Sequence, residues 1–327
     1  MSTFADVVDE VLEFPIVPSF TRLGSAVRSR LDHWTPLDSY DLTGRVVITG
    51  ATSGLGLVAA RALAADGATV EIVARNEAKA SQVCEWLRAE GAAGGVDYVV
   101  ADTADLDAIS SAAAEIALRH GQVHVLIHNA GALDRTCTSS PQGIERTVAS
   151  QVVGPFLLTK LLLPLLRAAP RARLLWVSSG GMYSQPLSVA HLETSPEDYH
   201  GTAVYARAKR AQVTLAEMWA EQLRPDGIAV QSMHPGWADT PGVRRSLPTF
   251  RRVAGPLLRT PEEGADTLVW LAADDGPPIA TTGRFWLDRR PRSIHRLPST
   301  RRSDTRDERR RLWDWCVERV SGARNPQ

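Results

Sequence analysis

Thr49-Gly50-Ala51-Thr52-Ser53-Gly54-Leu55-Gly56 follows a β-branched run and opens an apolar helical pattern. Glycines spaced Gly-x3-Gly-x-Gly let the main chain turn tightly and come close to a ligand. A helix that starts in such a turn aims free N–H groups, and the positive end of its dipole, at a pyrophosphate. The candidate contacts are Gly50, Thr52, Ser53, Gly54, Leu55 and Gly56. No Gly-Lys-Ser/Thr follows, so the turn is not a P-loop. Strand, glycine turn and helix in this order predict a doubly wound α/β sheet.

The pattern repeats outward from this turn. Residues 46–49, 69–73, 96–100, 123–127, 174–177, 228–233 and 284–287 read as strands. The inner ones are nearly continuous in apolar residues, as parallel strands covered on both faces require. Between them Leu106, Ile109, Ala113 and Ile116 recur at helical spacing, as do Val83, Trp86 and Leu87. The alternation predicts one Rossmann-type domain over 45–287, with a helical N-terminal extension, 1–44, and an Arg-rich C-terminal extension, 288–327. In the first extension Val7, Val8, Val11 and Leu12, then Leu23, Val27, Leu31 and Trp34, lie at helical spacing. They predict two short amphipathic helices packed on the core or on a partner subunit; peripheral membrane contact is the less favoured alternative. In the second, Leu312, Cys316 and Val320 share a helix face, and Arg309-Arg310-Arg311 lies among Asp304, Asp307 and Glu308. Such interleaved charge reads as a self-paired, solvated face.

Composition narrows the function. The 327 residues carry 37 Lys+Arg and 37 Asp+Glu, a balance that argues against a nucleic-acid partner. Hydrophobic residues at 44% exclude a disordered chain. Cys84, Cys137 and Cys316 are scattered without a CxxC pattern, so no metal site is expected and a reducing compartment fits. The N-terminus has no basic segment before an apolar run, which points to a cytoplasmic protein. The longest apolar stretch, 152–169, contains Lys160 and Arg167 and reads as a buried helix rather than a membrane span. Only three lysines (Lys79, Lys160, Lys209) stand among 34 arginines, which marks each as a candidate place where a guanidinium will not serve.

Two further patterns carry chemistry. The second strand ends Val73-Ala74-Arg75. An acid there would bind a ribose 2′-hydroxyl. Ala74 removes that acid, and the Arg75 guanidinium can take a 2′-phosphate, so NADP(H) is expected over NAD(H). Tyr205 and Lys209 lie four apart, on one helix face. A free phenol titrates near roughly 10, and bringing it to neutrality takes about 4 kcal/mol of differential stabilisation. A desolvated cation beside an oxidised nicotinamide can supply that.

Thr49–Gly56, Asn129-Ala130-Gly131, Val177-Ser178-Ser179, Tyr205-x3-Lys209 and Pro235-Gly236-x3-Thr240 occur in an order that resembles the short-chain dehydrogenase/reductase family, over about residues 45–287. The resemblance implies seven parallel strands in the order 3-2-1-4-5-6-7. Tyr205 would be the general acid or base. Lys209 would bind the nicotinamide ribose and depress the Tyr205 pKa, and Ser179 would donate to the substrate oxygen. Asp102 and Thr103 would lie near the adenine, Asn129, Ala130 and Gly131 beside the cofactor, and Pro235 and Thr240 near the carboxamide. A homodimer would form through the Tyr205 helix and the apolar helix.

The chain departs from the family pattern at three places. His128 replaces an asparagine, and Gln151 stands where the fourth catalytic residue is usually asparagine. The Ser179–Tyr205 interval is about twice the common length; this loop, with Met182, Tyr183 and Tyr199, is expected to help line the substrate pocket, and its His191 and His200 read as surface histidines. The expected activity is NADP(H)-dependent interconversion of a hydroxyl and a carbonyl on a lipophilic small molecule. The alternative is a non-catalytic dinucleotide sensor or scaffold.

Overall fold

The β-branched runs form an eight-stranded sheet in the computed structural model of the chain, which describes residues 4–322. The strands are β1 (Arg45–Thr49), β2 (Thr69–Ala74), β3 (Val96–Val100), β4 (Val125–His128), β5 (Arg173–Val177), β6 (Ala229–Met233), β7 (Arg284–Leu287) and β8 (Arg290–Arg292). Their order is β3-β2-β1-β4-β5-β6-β7-β8. The first seven are parallel and follow the expected order; β8 adds an antiparallel edge, with Leu287 opposite Arg290. The sheet therefore continues past Leu287 into the C-terminal extension. Asp288 and Arg289, both at φ 55°, make the two-residue turn between β7 and β8, a hairpin geometry that needs positive φ at both positions.

Alternate side chains of each inner strand feed opposite cores. Val46 and Ile48 face one core, which includes residues of the Gly54–Ala65, Glu77–Ala89 and Pro261–Ala273 helices. Val47 faces the other, built with the Leu106–Arg119, Gly154–Ala168 and Gly201–Leu223 helices. The apolar stretch is that Gly154–Ala168 helix. The helical run Arg146–Ala168 is long and apolar enough to cross a membrane, but 67% of its most apolar window is buried inside the fold. Because the strands run in parallel, the turns after β1, β2, β4, β5 and β6 meet at one sheet edge.

The extensions differ from their sequence reading. The N-terminal one forms three helices, Phe4–Glu13, Ile16–Phe20 and Arg22–Leu31, and these turn only part of their apolar pattern inward, with Val8, Leu12, Val27 and Leu31 half-buried. The first buries Asp9 and exposes Val7 and Val11; the third buries Gly24, Ser25 and Arg28 and exposes Leu23. Gly24 explains part of this: a Cβ there would lie 2.5 Å from the Ser19 carbonyl oxygen, so only glycine lets the helices close up. Arg28 explains the rest, since it bonds Asp9 (2.6 Å) and Asp288 (2.7 Å) out of water.

In the C-terminal helix, Arg306–Ser321, Leu312, Cys316 and Val320 are buried as their spacing predicts. Arg309 pairs with Asp304 and Glu217, and Arg311 with Glu308. Trp313 packs edge-on against Phe156 and Trp219, with ring centroids 4.9 and 4.8 Å away. The chain's own helix thus covers part of the two helices that the resemblance would pair between subunits.

Candidate active site

The turns at the C-terminal edge of the sheet hold one another. Thr49 Oγ1 accepts from the Asn129 and Ala130 N–H groups (3.1 and 3.0 Å), tying the turn after β4 to the turn after β1. Asn129 Nδ2 donates to the Thr49 and Gly50 carbonyls (3.0 and 3.1 Å), so this amide braces the glycine turn. Gly50 has φ 71°, and a Cβ on Gly56 would overlap the Asn129 amide. Thr52 is half-buried in the turn and Ser53 is exposed. The Ser53 side chain does not cap the Gly54–Ala65 helix, so that helix presents its first N–H groups to the crevice. Thr240 stands across from it, its Cβ 3.5 Å from where a Gly54 Cβ would lie. Leu55 packs instead beside Gly264 with Ala238 and Pro235.

Arg75 follows β2, exposed and without a hydrogen bond or ion pair among the described residues. Asp102 accepts from the Ala104 N–H (3.0 Å) and from Arg146 (2.6 Å). Burial alone would raise its carboxyl; the Ala104 N–H, Arg146 and the field of Arg75 together hold it below the ordinary value. Thr103 is buried, with its carbonyl against Gly154. Close-packed glycines, an uncapped helix start and a free guanidinium fit a dinucleotide carrying an extra phosphate.

Ser179 leaves β5 and caps the short turn Gly180–Ser184, its Oγ accepting from the Gly181 N–H (3.3 Å). Tyr205 is half-buried in the Gly201–Leu223 helix. Lys209, one turn on, is 2% exposed; its Nζ donates to the Val177 carbonyl (3.0 Å) and lies 5.3 Å from the Tyr205 ring centroid. Burial pushes the Tyr205 phenol up to about 12, against a lowering hydrogen bond from Ser179. Burial pushes the Lys209 ammonium down to about 7. The protein's own groups therefore favour the protonated phenol, and the depression expected at this pair calls on the oxidised nicotinamide as well. Desolvation is the largest contribution at both groups.

Gln151 is fully buried in a widened, π-helical turn, Ala149–Val153. Its Nε2 donates to the Ala132 carbonyl (2.7 Å), while its Oε1 has no partner. A Cβ on Gly131 would lie 3.0 Å from Lys209 Nζ and 3.2 Å from Gln151 Oε1, so both groups face this glycine. His128 is buried and bonds Thr159 (2.7 Å).

The insertion after Ser179 lies partly elsewhere. Tyr183 is buried, with its hydroxyl on the Ser293 carbonyl (2.8 Å), and the Leu187 and Val189 N–H groups bond Ser303 and Glu308. Tyr199 reaches Thr147 and Asp134, while His191 and His200 are exposed. Much of the loop is thus stitched to the C-terminal extension. Met182 and Tyr183 lie within the Gly180–Ser184 turn, buried with Phe20 and Phe285. Among the described residues no three His, Cys, Asp or Glu side chains gather as metal ligands.

Sequence reasoning missed the clamp behind the Pro235–Thr240 loop. Arg259 is buried, bonds both oxygens of Asp288, and reaches the Ser19, Phe20 and Pro235 carbonyls. Gly236, at φ 70°, leaves room for that guanidinium, and its N–H donates to His234 Nδ1 (3.1 Å). Phe20 fills the space beside Gly180 and packs on Trp237 (5.9 Å), so the N-terminal extension closes one side of the site. Nothing in the sequence links residues 28 and 288; the only local signal is the Asp288-Arg289 turn between two strand-like runs.

Residues 45–249 match the short chain dehydrogenase family. Human dehydrogenase/reductase SDR family member 12 is 37% identical over 290 residues, 88% of this chain and 90% of that protein. Human retinol dehydrogenase 12 is 30% identical over 276 residues, covering 84% of this chain and 85% of its own length. Among solved structures, a putative short chain dehydrogenase from Escherichia coli CFT073, complexed with NADPH, is 25% identical with a TM-score of 0.62. That match covers 76% of this chain and 99% of the other.

Proposed function

The chain belongs to the short-chain dehydrogenase/reductase family and is an oxidoreductase; from that premise we propose that it interconverts a hydroxyl and a carbonyl on a lipophilic small molecule with NADP(H). One observation carries the chemistry: the Tyr205 phenol, the Ser179 hydroxyl and the Lys209 ammonium share one corner of the glycine-lined crevice.

The bound cofactor supplies or accepts the hydride at the substrate carbon. The glycine turn and the Gly54–Ala65 helix start hold its diphosphate, and Arg75 holds a 2′-phosphate in preference to the bare ribose of NAD(H). In reduction, Ser179 Oγ–H steadies the carbonyl oxygen and Tyr205 delivers its proton to the developing alkoxide. A phenol held near 12 carries that proton throughout the neutral range. In oxidation the Tyr205 oxygen takes the hydroxyl proton only as the phenolate, after its own proton has left, and a charged Lys209 beside it would favour that form. Gln151 Oε1, facing the Lys209 side of Gly131, positions a water that returns protons to Lys209.

Trp237 and Phe250, whose rings meet edge-on at 5.1 Å, favour an apolar substrate, as does the likeness to an enzyme named for retinol. A cytoplasmic homodimer belongs to the same reading. With Trp313 on Phe156 and Trp219, pairing would use the outer, half-buried Leu161 and Leu165 around Lys160.

The test is a screen of hydrophobic aldehydes, ketones and alcohols, followed by NADPH and NADH absorbance, with Tyr205→Phe as control. The expected result is NADPH-linked turnover that Tyr205→Phe abolishes while cofactor binding persists. Turnover unaffected by that change would overturn the reading.

A further inference from the structure

The Phe4–Glu13 helix is docked with its charged side inward. Asp9 is buried and bonds Arg28 (2.6 Å) and Arg292 (2.6 Å), and Glu13 pairs with Arg28, Arg292 and Arg296. Asp6 pairs with Arg290. The apolar side therefore points outward. Phe4 is 77% exposed, Val11 69% and the following Phe14 90%, and Val7 lies in the same stripe. Residues 4, 7, 11 and 14 fall along one side of the helical course. The helix cannot roll to hide them without breaking buried ion pairs, and breaking a buried pair is strongly destabilising.

The surface continues beyond that helix. Ile16, Val17 and Leu23 are exposed large apolar residues on the next two helices. Arg22 and Arg30 are exposed at either end of the third, and Glu10 is the exposed acid bordering the stripe. So many large apolar side chains exposed within one short extension mark an interaction site. An apolar ridge with exposed guanidiniums beside it matches an anionic bilayer surface: side chains enter the acyl boundary and guanidiniums meet phosphates. A second copy of this chain would bring the same arginines to meet these.

We propose that the outward face of the three N-terminal helices seats this protein on anionic lipid bilayers. The same three helices also reach the site, because Phe20, buried at the end of the second helix, packs on Trp237 and beside Gly180. A lipid-seated chain would present its substrate mouth near the membrane. The binding itself does not rest on the oxidoreductase reading, because it requires no turnover.

The experiment is vesicle co-sedimentation of the full chain, with phosphatidylcholine alone and with added phosphatidylglycerol. The wild type is expected to bind the anionic vesicles. The triple variant Phe4→Ser/Val11→Ser/Phe14→Ser should lose roughly tenfold or more in partitioning, and Arg22→Gln/Arg30→Gln should lose affinity for the anionic vesicles alone. These positions are exposed and outside the site, so the melting temperature and NADPH affinity should stay unchanged and report an intact fold. Equal partitioning of the folded wild type and triple variant, or no binding by either, overturns the proposal. So does sedimentation velocity showing a vesicle-free dimer that the triple variant converts to monomer, because a second copy would then own the surface.

Discussion

Around Gly50 the chain is held by contacts between neighbours along one sheet edge. Asn129 bonds the Thr49 and Gly50 carbonyls, Thr49 receives the Asn129 and Ala130 N–H groups, and glycines leave the space where a side chain would intrude. Around Arg28 the chain is held by charge. Arg28 and Arg259 share the Asp288 carboxylate, while Asp9 and Glu13 gather Arg292 and Arg296. The first region needs small residues and neutral hydrogen bonds, which tolerate salt and acid. The second needs ionised carboxylates in a half-dry cluster. Its strength depends on pH and on every partner being present.

The largest effect is expected from Arg28→Met. Asp9 and Asp288 keep Arg292 and Arg259, yet removing one member of a buried ion cluster should still cost about 3 kcal/mol. Thermal melting should show the loss, and limited proteolysis should place it in the three N-terminal helices. NADPH affinity should hold. A parallel fall in that affinity would show that Arg259, which touches both Asp288 and the Pro235 carbonyl, makes the two regions one unit.

Acid should separate the regions next. Burial pushes the Asp9 carboxyl up, but Arg292 and Arg28 outweigh it and hold it at about 2. A carboxylate whose folded pKa is depressed contributes its stability above the ordinary value near 3.8 and loses it as pH falls toward 2. The loss amounts to about 2 kcal/mol. Hydrogen exchange between pH 5 and pH 2.5 should show the Phe4–Glu13 helix opening before the Gly54–Ala65 helix. Simultaneous opening would contradict the separation.

The smallest effect belongs to Arg75→Ala. The guanidinium is exposed and unpaired, so the fold should not change. The KM for NADPH should rise roughly tenfold while that for NADH stays level, as expected for loss of a charge-assisted phosphate contact. A rise for both cofactors would move Arg75 from discrimination to general binding.

The same contrast explains what could be read from the chain. The glycine turn and the one-turn spacing of Tyr205 and Lys209 were legible because each depends on residues near in sequence, whereas the strand order came only with the family resemblance. The N-terminal helices were legible as helices, yet part of the expected inward stripe stands in solvent while Asp9 and Arg28 are buried. Val7, Val11 and Leu23 look like an inward stripe until Asp9 and Arg28 find partners more than 250 residues away. Periodicity carries no information about such pairs. The β8 edge was hidden for a related reason: Arg290-Pro291-Arg292 has no strand-like pattern and is held by its hairpin turn and by Asp6, Asp9 and Asp32. The dryness around Tyr205 and Lys209, by which the protein itself pushes the phenol up and the ammonium down, has no counterpart in sequence spacing.

Hydride transfer by the wild type and by Tyr205→Phe, each saturated with NADPH and given the same reducible carbonyl compound, tests the central claim most directly. The account predicts equal NADPH binding and a turnover lower by roughly a thousandfold in the variant, the scale of a lost general acid. Turnover within a few-fold of the wild type would place the proton donor on some other residue and remove Tyr205 from the chemistry.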